Sequence, residues 1–305
     1  MTGRTLAHPP PQARQRTGET QDQPGRNPRR RAVDIQSLTP PRALGPHDIL
    51  RVLTLNLAHG RGNQLVQRLM RRSRAELQLL RVAALLLRQR PHVVALQEAD
   101  GKAIWSGRFN HVDFLARQAG YAGYIQMHHV QGLGLSYGTA ILASGDLREG
   151  CGGTFGPTPP TFPKGWVSAV LPWAAVPGGA VRVISLHLDF LRARSRQAQL
   201  RELSLELAVE ALPLIIMGDF NSTPRREPAM AELMSGLGLH TFELEATAAT
   251  THTHPASRRR IDWILASQHL RFVRHTVLPD VLSDHLPVTA EFAPAVRSKA
   301  GAADQ

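Results

Sequence analysis

Between residues 49 and 295 the chain alternates short apolar runs with longer segments of helical periodicity. Residues 50–57, 92–96, 139–142, 166–171, 181–188, 214–217, 260–266 and 286–292 read as strands, each bounded by Gly, Pro, Asn or Asp. Residues 64–89, 110–119, 195–211 and 226–235 read as helices. On the first helix Leu65, Leu69, Leu77, Leu80, Ala84 and Leu87 are expected to form the core-facing stripe, and Pro91 supplies a stop. Regularly spaced strands with helices between them predict packed β-sheets covered by helices, in one domain over residues 49–295.

Composition changes this picture at the ends. Residues 1–48 are rich in Pro, Arg, Gln and Thr and lack apolar periodicity, so a disordered tail is expected there, and a second over residues 296–305. The net charge of +12 is concentrated in two places. Residues 1–48 hold eight Arg against four acids, and residues 61–90 hold eight Arg against Glu76 alone. Attraction to a polyanion such as DNA or RNA is one reading of this excess, and a set of solvated arginines is the other. The single cysteine, Cys151, rules out an intramolecular disulfide and a cysteine cluster for zinc, and its glycine-rich flank reads as a loop. No stretch approaches the roughly 20 apolar residues that span a bilayer, and the first 48 residues show no apolar leader. A soluble, cytoplasmic protein is expected.

The chemistry-bearing residues recur at the ends of apolar runs, where a strand can hold a side chain rigidly at a cleft. Glu98 closes one run and offers a carboxylate suited to a hard cation; alone it would equally be a surface acid. Asn56 is placed to orient that carboxylate or a phosphate through its amide. Asp219 and Asn221, two apart, project to one side in extended geometry and together suit the positioning of a water nucleophile, although an Asx turn uses the same residues. Asp284 and His285 pair a carboxylate with an imidazole, although a turn before Pro287 uses the same residues; Asp284 points to the side opposite His285 and is a candidate to bind or tune a metal.

Taken in order, Leu53-Thr54-Leu55-Asn56, Leu96-Gln97-Glu98, Ser185-Leu186-His187-Leu188-Asp189, Gly218-Asp219-Phe220-Asn221, Ile261-Asp262-Trp263 and Ser283-Asp284-His285-Leu286-Pro287 resemble the endonuclease/exonuclease/phosphatase superfamily over roughly residues 50–292. The resemblance implies a four-layer α/β sandwich of two mixed sheets with helices outside. It assigns His285 as the base that activates water, Asp262 as its orienting partner and His187 as a contact to the phosphate or leaving group. A tyrosine stands at the His187 position in the apurinic endonucleases, which disfavours that branch. Deoxyribonuclease-like relatives pair the histidine with a glutamate from the preceding strand, and residues 137–140 contain no carboxylate.

The expected reaction is hydrolysis of a phosphodiester assisted by Mg²⁺ or Mn²⁺, with nucleic acid as the first substrate expectation and a phospholipid or sphingomyelin-type diester as the alternative. A catalytically silent binding module is the rival from another class, and the retention of Glu98, Asp219, Asn221, Asp262 and His285 speaks against it. Substrate selection belongs to the loops over residues 145–164 and 240–260. Arg258, Arg259 and Arg260 are candidates to contact flanking phosphates, or form a solvated turn. His252, His254, His128 and His129 read as surface-loop histidines.

Overall fold

The computed structural model describes residues 30–63, 69–243, 252–254, 256 and 258–295. In chain order these form β1 (Arg30–Ala32), β2 (Ile35–Ser37), β3 (Leu50–Asn56), α1 (Arg72–Gln89), β4 (Val93–Asp100), α2 (His111–Gln118), β5 (Gly123–Gly132) and β6 (Leu135–Ala143). There follow β7 (Arg148–Thr154), β8 (Gly165–Pro172), β9 (Ala180–His187), α3 (Ala193–Leu207), β10 (Leu214–Asp219), α4 (Pro228–Gly236), β11 (Leu239–His240), β12 (Asp262–Ser267), β13 (Leu270–Val277) and β14 (Val288–Pro294). Each of the eight apolar runs is a strand, while β1, β2, β5, β7, β11 and β13 are additions to the reading from sequence.

Two seven-stranded mixed sheets result, in the orders β1-β7-β8-β9-β10-β12-β11 and β13-β14-β3-β4-β6-β5-β2. Their central strands are buried on both faces, which is why they read as continuous apolar runs rather than alternating ones. Val52 of β3, Val93 and Ala95 of β4, Val181 and Val183 of β9, and Ile215 and Met217 of β10 fill the space between the sheets. The alternate residues point outward: Leu53, Val94 and Leu96 meet α1 and α2, and Ile184, Leu186 and Ile216 meet α3 and α4. The result is the four-layer sandwich. Polar side chains also cross the inter-sheet core: Thr54 donates to Gln97 (3.3 Å), Gln97 Nε2 donates to Ser185 Oγ (3.1 Å), and Ser185 Oγ donates to the Leu96 carbonyl (3.0 Å). Buried polar groups are tolerated only when paired, so this seam fixes how the sheets stack.

Several expectations are corrected. The stripe on α1 is wrong: Ala75, Leu79, Val82, Ala83 and Leu86 are buried, while Leu77, Leu80, Ala84 and Leu87 face solvent. A leucine-rich helix offers two stripes of helical period, and the one with small Ala75 and Ala83 allows the closer approach to the sheet. Leu69 is also exposed, Leu65 lies outside the described residues, and helix begins at Arg72. Residues 30–48 are not tail, because β1 pairs with β7 and β2 with β5, and Val33, Ile35 and Leu44 pack on the inter-sheet core. Backbone pairing to an edge strand needs no apolar period of its own. Residues 1–29 and 296–305 lie outside the described residues. Cys151 sits in β7, buried beside Ser168 (3.1 Å) rather than in a loop, since glycines on a covered strand let the neighbouring chain come close. Among the described residues no helix is long and apolar enough to cross a membrane.

The edge strands carry a measurable expectation. A chain starting at residue 49 should be less stable to urea than one starting at residue 30 by about 2–4 kcal/mol, given the partial burial of aliphatic side chains from that segment. Equal midpoints and slopes would return residues 30–48 to the status of a tail.

Candidate active site

Strand register assembles the site. His187 at the end of β9 is aligned with Asp219 at the end of β10, and Asp219 is aligned with Asp262 at the start of β12, so three side chains stand side by side at one edge of one sheet. Asn56 ends β3 on the other sheet and its Nδ2 donates to Asp219 Oδ2 (3.2 Å). His285, just before β14, places Nδ1 2.8 Å from Asp262 Oδ2 and Nε2 3.8 Å from Asp219 Oδ2. His187 Nε2 lies 3.5 Å from the same Asp219 oxygen. Asn221 takes a left-handed conformation (φ 52°), tolerated by asparagine, donates its N–H to Asp219 Oδ1 (2.9 Å) and donates Nδ2 to the Leu188 carbonyl (3.0 Å). Glu98 (φ 47°) falls at an irregularity in the β4–β6 pairing, between Leu96 and Ala99, and irregularities of this kind re-aim side chains.

The charges divide into two halves. Around Glu98 are cations: His59 Nε2 at 3.3 Å, Arg61 Nη1 at 3.5 Å and Lys164 Nζ at 3.8 Å. Burial works to raise the Glu98 carboxyl, but the charges of His59, Lys164 and Arg61 outweigh it and hold the group well below the usual carboxylate range. Around Asp219 the balance is reversed. Its burial, with Asp262 close by, raises its proton affinity above that of an ordinary carboxyl, and His285 opposes the rise. Burial disfavours the charged form of His285, but Asp262, Asp219 and Asp284 outweigh that and raise its pKa. Nδ1 of His285 is taken up by Asp262, which leaves Nε2 facing the Asp219 carboxylate and the cleft. His187 is lowered well below the ordinary histidine value by burial and by Lys164, and stays neutral.

Glu98, Asn56, Asp219, Asn221, Asp262, Asp284, His187 and His285 are thus brought to one cleft. Of the arginine run, Arg259 lies beside it and Arg260 does not. Arg260 is buried, stacks on Trp263 (4.0 Å) and donates to the carbonyls of Phe242 and Glu243 (2.9 Å each), so it belongs to the frame. Arg259 reaches the Asn221 carbonyl (3.4 Å), and Arg258 is exposed. Three of the histidines read as surface-loop residues are also relocated; His128 is half-buried in β5 beside Ser136 (3.2 Å). His254 meets the His285 ring edge-on at 5.0 Å, and neighbouring Thr253 Oγ1 accepts the N–H groups of Ile261 and Asp262. His129 is buried in β5, bonded to Thr139 (3.0 Å) and Thr154 (3.1 Å).

Sequence reasoning missed three cations. Lys164 is buried, and its signal was its rarity, as one of three lysines in an arginine-rich chain. Arg61 reaches from Glu98 to Asp284, with Nη2 2.5 Å from the Asp284 carboxylate. His59 spans Glu98 and Asp100, with Nδ1 2.7 Å from Asp100 Oδ1, and Trp105 donates to the other Asp100 oxygen (2.8 Å).

A hard divalent cation fits this donor set. Asp219, Asp262 and His285 each offer a ligand atom within 4.8 Å of the others, and Asp262 Oδ1 is buried without a hydrogen-bond partner. Residues 53–285 match the Endonuclease/Exonuclease/phosphatase family. The chain belongs to that family.

Solved structures of similar fold agree with the family assignment. An endonuclease/exonuclease/phosphatase from Beutenbergia cavernae DSM 12333 is 22% identical, with a TM-score of 0.61 over 81% of this chain and 72% of that one. The human Nocturnin catalytic domain with bound sulfate is 20% identical, with a TM-score of 0.59 over 86% and 98%. Sphingomyelinase C from Streptomyces griseocarneus is 19% identical, with a TM-score of 0.57 over 80% and 99%. At these identities the likeness is one of fold. Comparison with the curated proteins gives no match.

Titration calorimetry of Mn²⁺ into the protein tests the donor set without turnover. Glu98→Gln and Asp219→Asn should each weaken binding by at least about tenfold, as loss of a ligand or its support does. An isotherm unchanged by Glu98→Gln removes Glu98 from the cation's surroundings.

Proposed function

We propose that the protein hydrolyses a phosphodiester with water, assisted by Mg²⁺ or Mn²⁺, and that the convergence of Asp219, Asp262 and His285 from three chain segments carries this reading. Glu98, Asn56 and Asp284, with Asp219, would hold the cation. A bound cation of this kind polarises a phosphoryl oxygen and offsets charge that develops there.

The remaining work falls to the chain's own side chains. Asp219, held by the Asn56 amide and the Asn221 N–H, orients the attacking water. His285, held in orientation through Nδ1 by Asp262, accepts the proton of that water at Nε2; a cation held by Glu98, Asp284 and Asp219 would offset the carboxylates that favour the charged imidazole. Asn221 keeps one amide hydrogen for the phosphoryl group, since an amide nitrogen has two and the Leu188 carbonyl takes the other. Neutral His187 and buried Lys164 face the same space and suit the phosphate or the leaving oxygen.

On substrate, the nucleic-acid reading keeps Arg71, Arg74 and Arg81 at or beside the exposed face of α1, while Arg72 and Arg88 are engaged by Glu76 and Asp280. The groups nearest the cleft favour a lipid diester, because Phe162, Phe190 and Leu191 are exposed there. The deciding experiment is turnover with Mg²⁺ on plasmid, RNA and phospholipid or sphingomyelin vesicles. Complete inertness of folded protein toward all of them, with and without EDTA, would favour the silent binding module.

The pH profile tests the proton assignment. His285→Gln removes the proposed base, so kcat/KM should fall by about 10²–10⁴ and the acidic limb that reports imidazole deprotonation should disappear. An acidic limb that stays in place would take the base role away from His285. Adding Asp262→Asn to His285→Gln should cost little more, because Asp262 acts through the imidazole; fully multiplicative losses in folded protein would separate the two.

A further inference from the structure

Large apolar side chains edge the mouth of the cleft and face solvent. Leu133, at the tip of the β5–β6 hairpin, is 100% exposed. The hairpin tip is joined to the loop after β4, where the Ile104 N–H donates to the Gly134 carbonyl (2.8 Å) and Ile104 itself is exposed. Trp105 follows, packed on Tyr137 (5.7 Å) and met by half-exposed Phe162 at 6.5 Å. The loop that carries Phe162 is tied through Thr158 and Thr161 to Asp189. Next to Asp189 come Phe190 and Leu191, 60% and 53% exposed. Lys164 links this path to the chemistry, with Nζ 6.0 Å from the Phe190 ring and 3.8 Å from Glu98.

Charge runs along the same rim with one sign. Residues 101–108, 132–136, 155–164 and 190–197 contain Lys102, Arg108, Lys164, Arg192, Arg194 and Arg196 and no carboxylate. Lys102, Arg108, Arg192 and Arg194 are exposed. We propose that this rim docks the protein on the surface of an anionic phospholipid bilayer. Leu133, Phe162, Phe190 and Leu191 enter the headgroup region, and the four exposed cations meet lipid phosphates. Apolar side chains interleaved with Lys and Arg are what an interfacial surface requires. A phosphate backbone would reward the cations alone, and stacking on bases would reward Phe162 and Phe190 but not Leu133, Ile104 or Leu191.

This deepens the functional reading, since it sets the cleft against a bilayer, but its test needs no turnover. The full chain is sedimented with vesicles of phosphatidylcholine alone and of phosphatidylcholine mixed with phosphatidylglycerol. Binding is expected on the mixed vesicles, weaker on the neutral ones, and unchanged in His285→Gln. Leu133→Asp combined with Phe190→Ser and Leu191→Ser, in protein folded by circular dichroism, should weaken binding by at least about tenfold. Arg192→Glu with Arg194→Glu should weaken it by a similar factor and flatten its salt dependence. Failure to sediment, or equal binding by the apolar triple variant, overturns the proposal. Duplex DNA binding of comparable strength that is lost in the same triple variant reassigns the rim to nucleic acid and overturns it too. Vesicle binding without hydrolysis leaves the docking surface standing and counts against the functional reading alone.

Discussion

The amide of Asn56 donates to the carboxylate of Asp219, and through that contact the last residue of β3 in one sheet holds the last residue of β10 in the other. Everything else in the cleft is arranged around this carboxylate: His187 lies on one side, His285 and Asp262 on the other, and the Asn221 N–H donates to its second oxygen. Burying a carboxylate costs several kcal/mol unless partners are supplied, and here the partners come from four separate segments. The stacking of the sheets therefore has to be right to within a hydrogen bond. Directly beneath, Thr54, Gln97 and Ser185 supply that precision, because a slip of one residue would turn their polar groups toward apolar neighbours and leave them unpaired.

With the sheets locked, the cleft is electrically divided before any substrate arrives. The wall around Glu98 is provided with His59, Arg61 and Lys164, whereas the wall around Asp219 is provided with Asp262 and Asp284. In the proposed reaction a phosphoester would bring negative charge to the first wall and its water would lose a proton at the second. Neither wall has to reorganise for this, and fixed charges of this kind are the largest contribution a protein makes to such a step. Arg61 joins the two walls, since one guanidinium reaches both Glu98 and Asp284. The position of that arginine, directly after the Ala58–Gly60 turn, explains why the turn accepts positive φ at Ala58, His59 and Gly60: extended backbone there would carry His59 and Arg61 away from the cleft.

What was legible in the sequence follows from these constraints. The central strands were legible because both of their faces are buried, and the ends that bear Asn56, Glu98, His187, Asp219 and Asp262 were legible because a polar residue closing an apolar run has few structural reasons to be there. The edge strands were not: β1 and β2 are held by backbone pairing, which any sequence can make, and β7 is glycine-rich because other chain segments approach it closely. Arg260 misled because a guanidinium reads as a surface group, while its flat face and alkyl stem pack on Trp263 and its donors find carbonyls. His129 and His254 misled for the opposite reason. The neighbours that matter to them, Thr139, Thr154 and His285, are distant along the chain.

The same distinction separates what the fold determines from what it leaves open. The residues proposed to act on a phosphoester sit at or beside strand ends and are mutually bonded, so changing one disturbs the others. The rim sits on four loops whose side chains, from Leu133 to Leu191, touch the sandwich lightly and can be exchanged at little cost to it. Reaction type is therefore written into the sheets and can be read from motifs. Substrate class is written into solvent-facing side chains with no periodicity, no partner in the fold and no fixed spacing from the catalytic residues. A sequence pattern cannot find such residues, but the solvent exposure of Leu, Phe and Ile beside a buried charged cleft can, because leaving that much apolar surface in water at the mouth of a site is unfavourable unless something covers it in use.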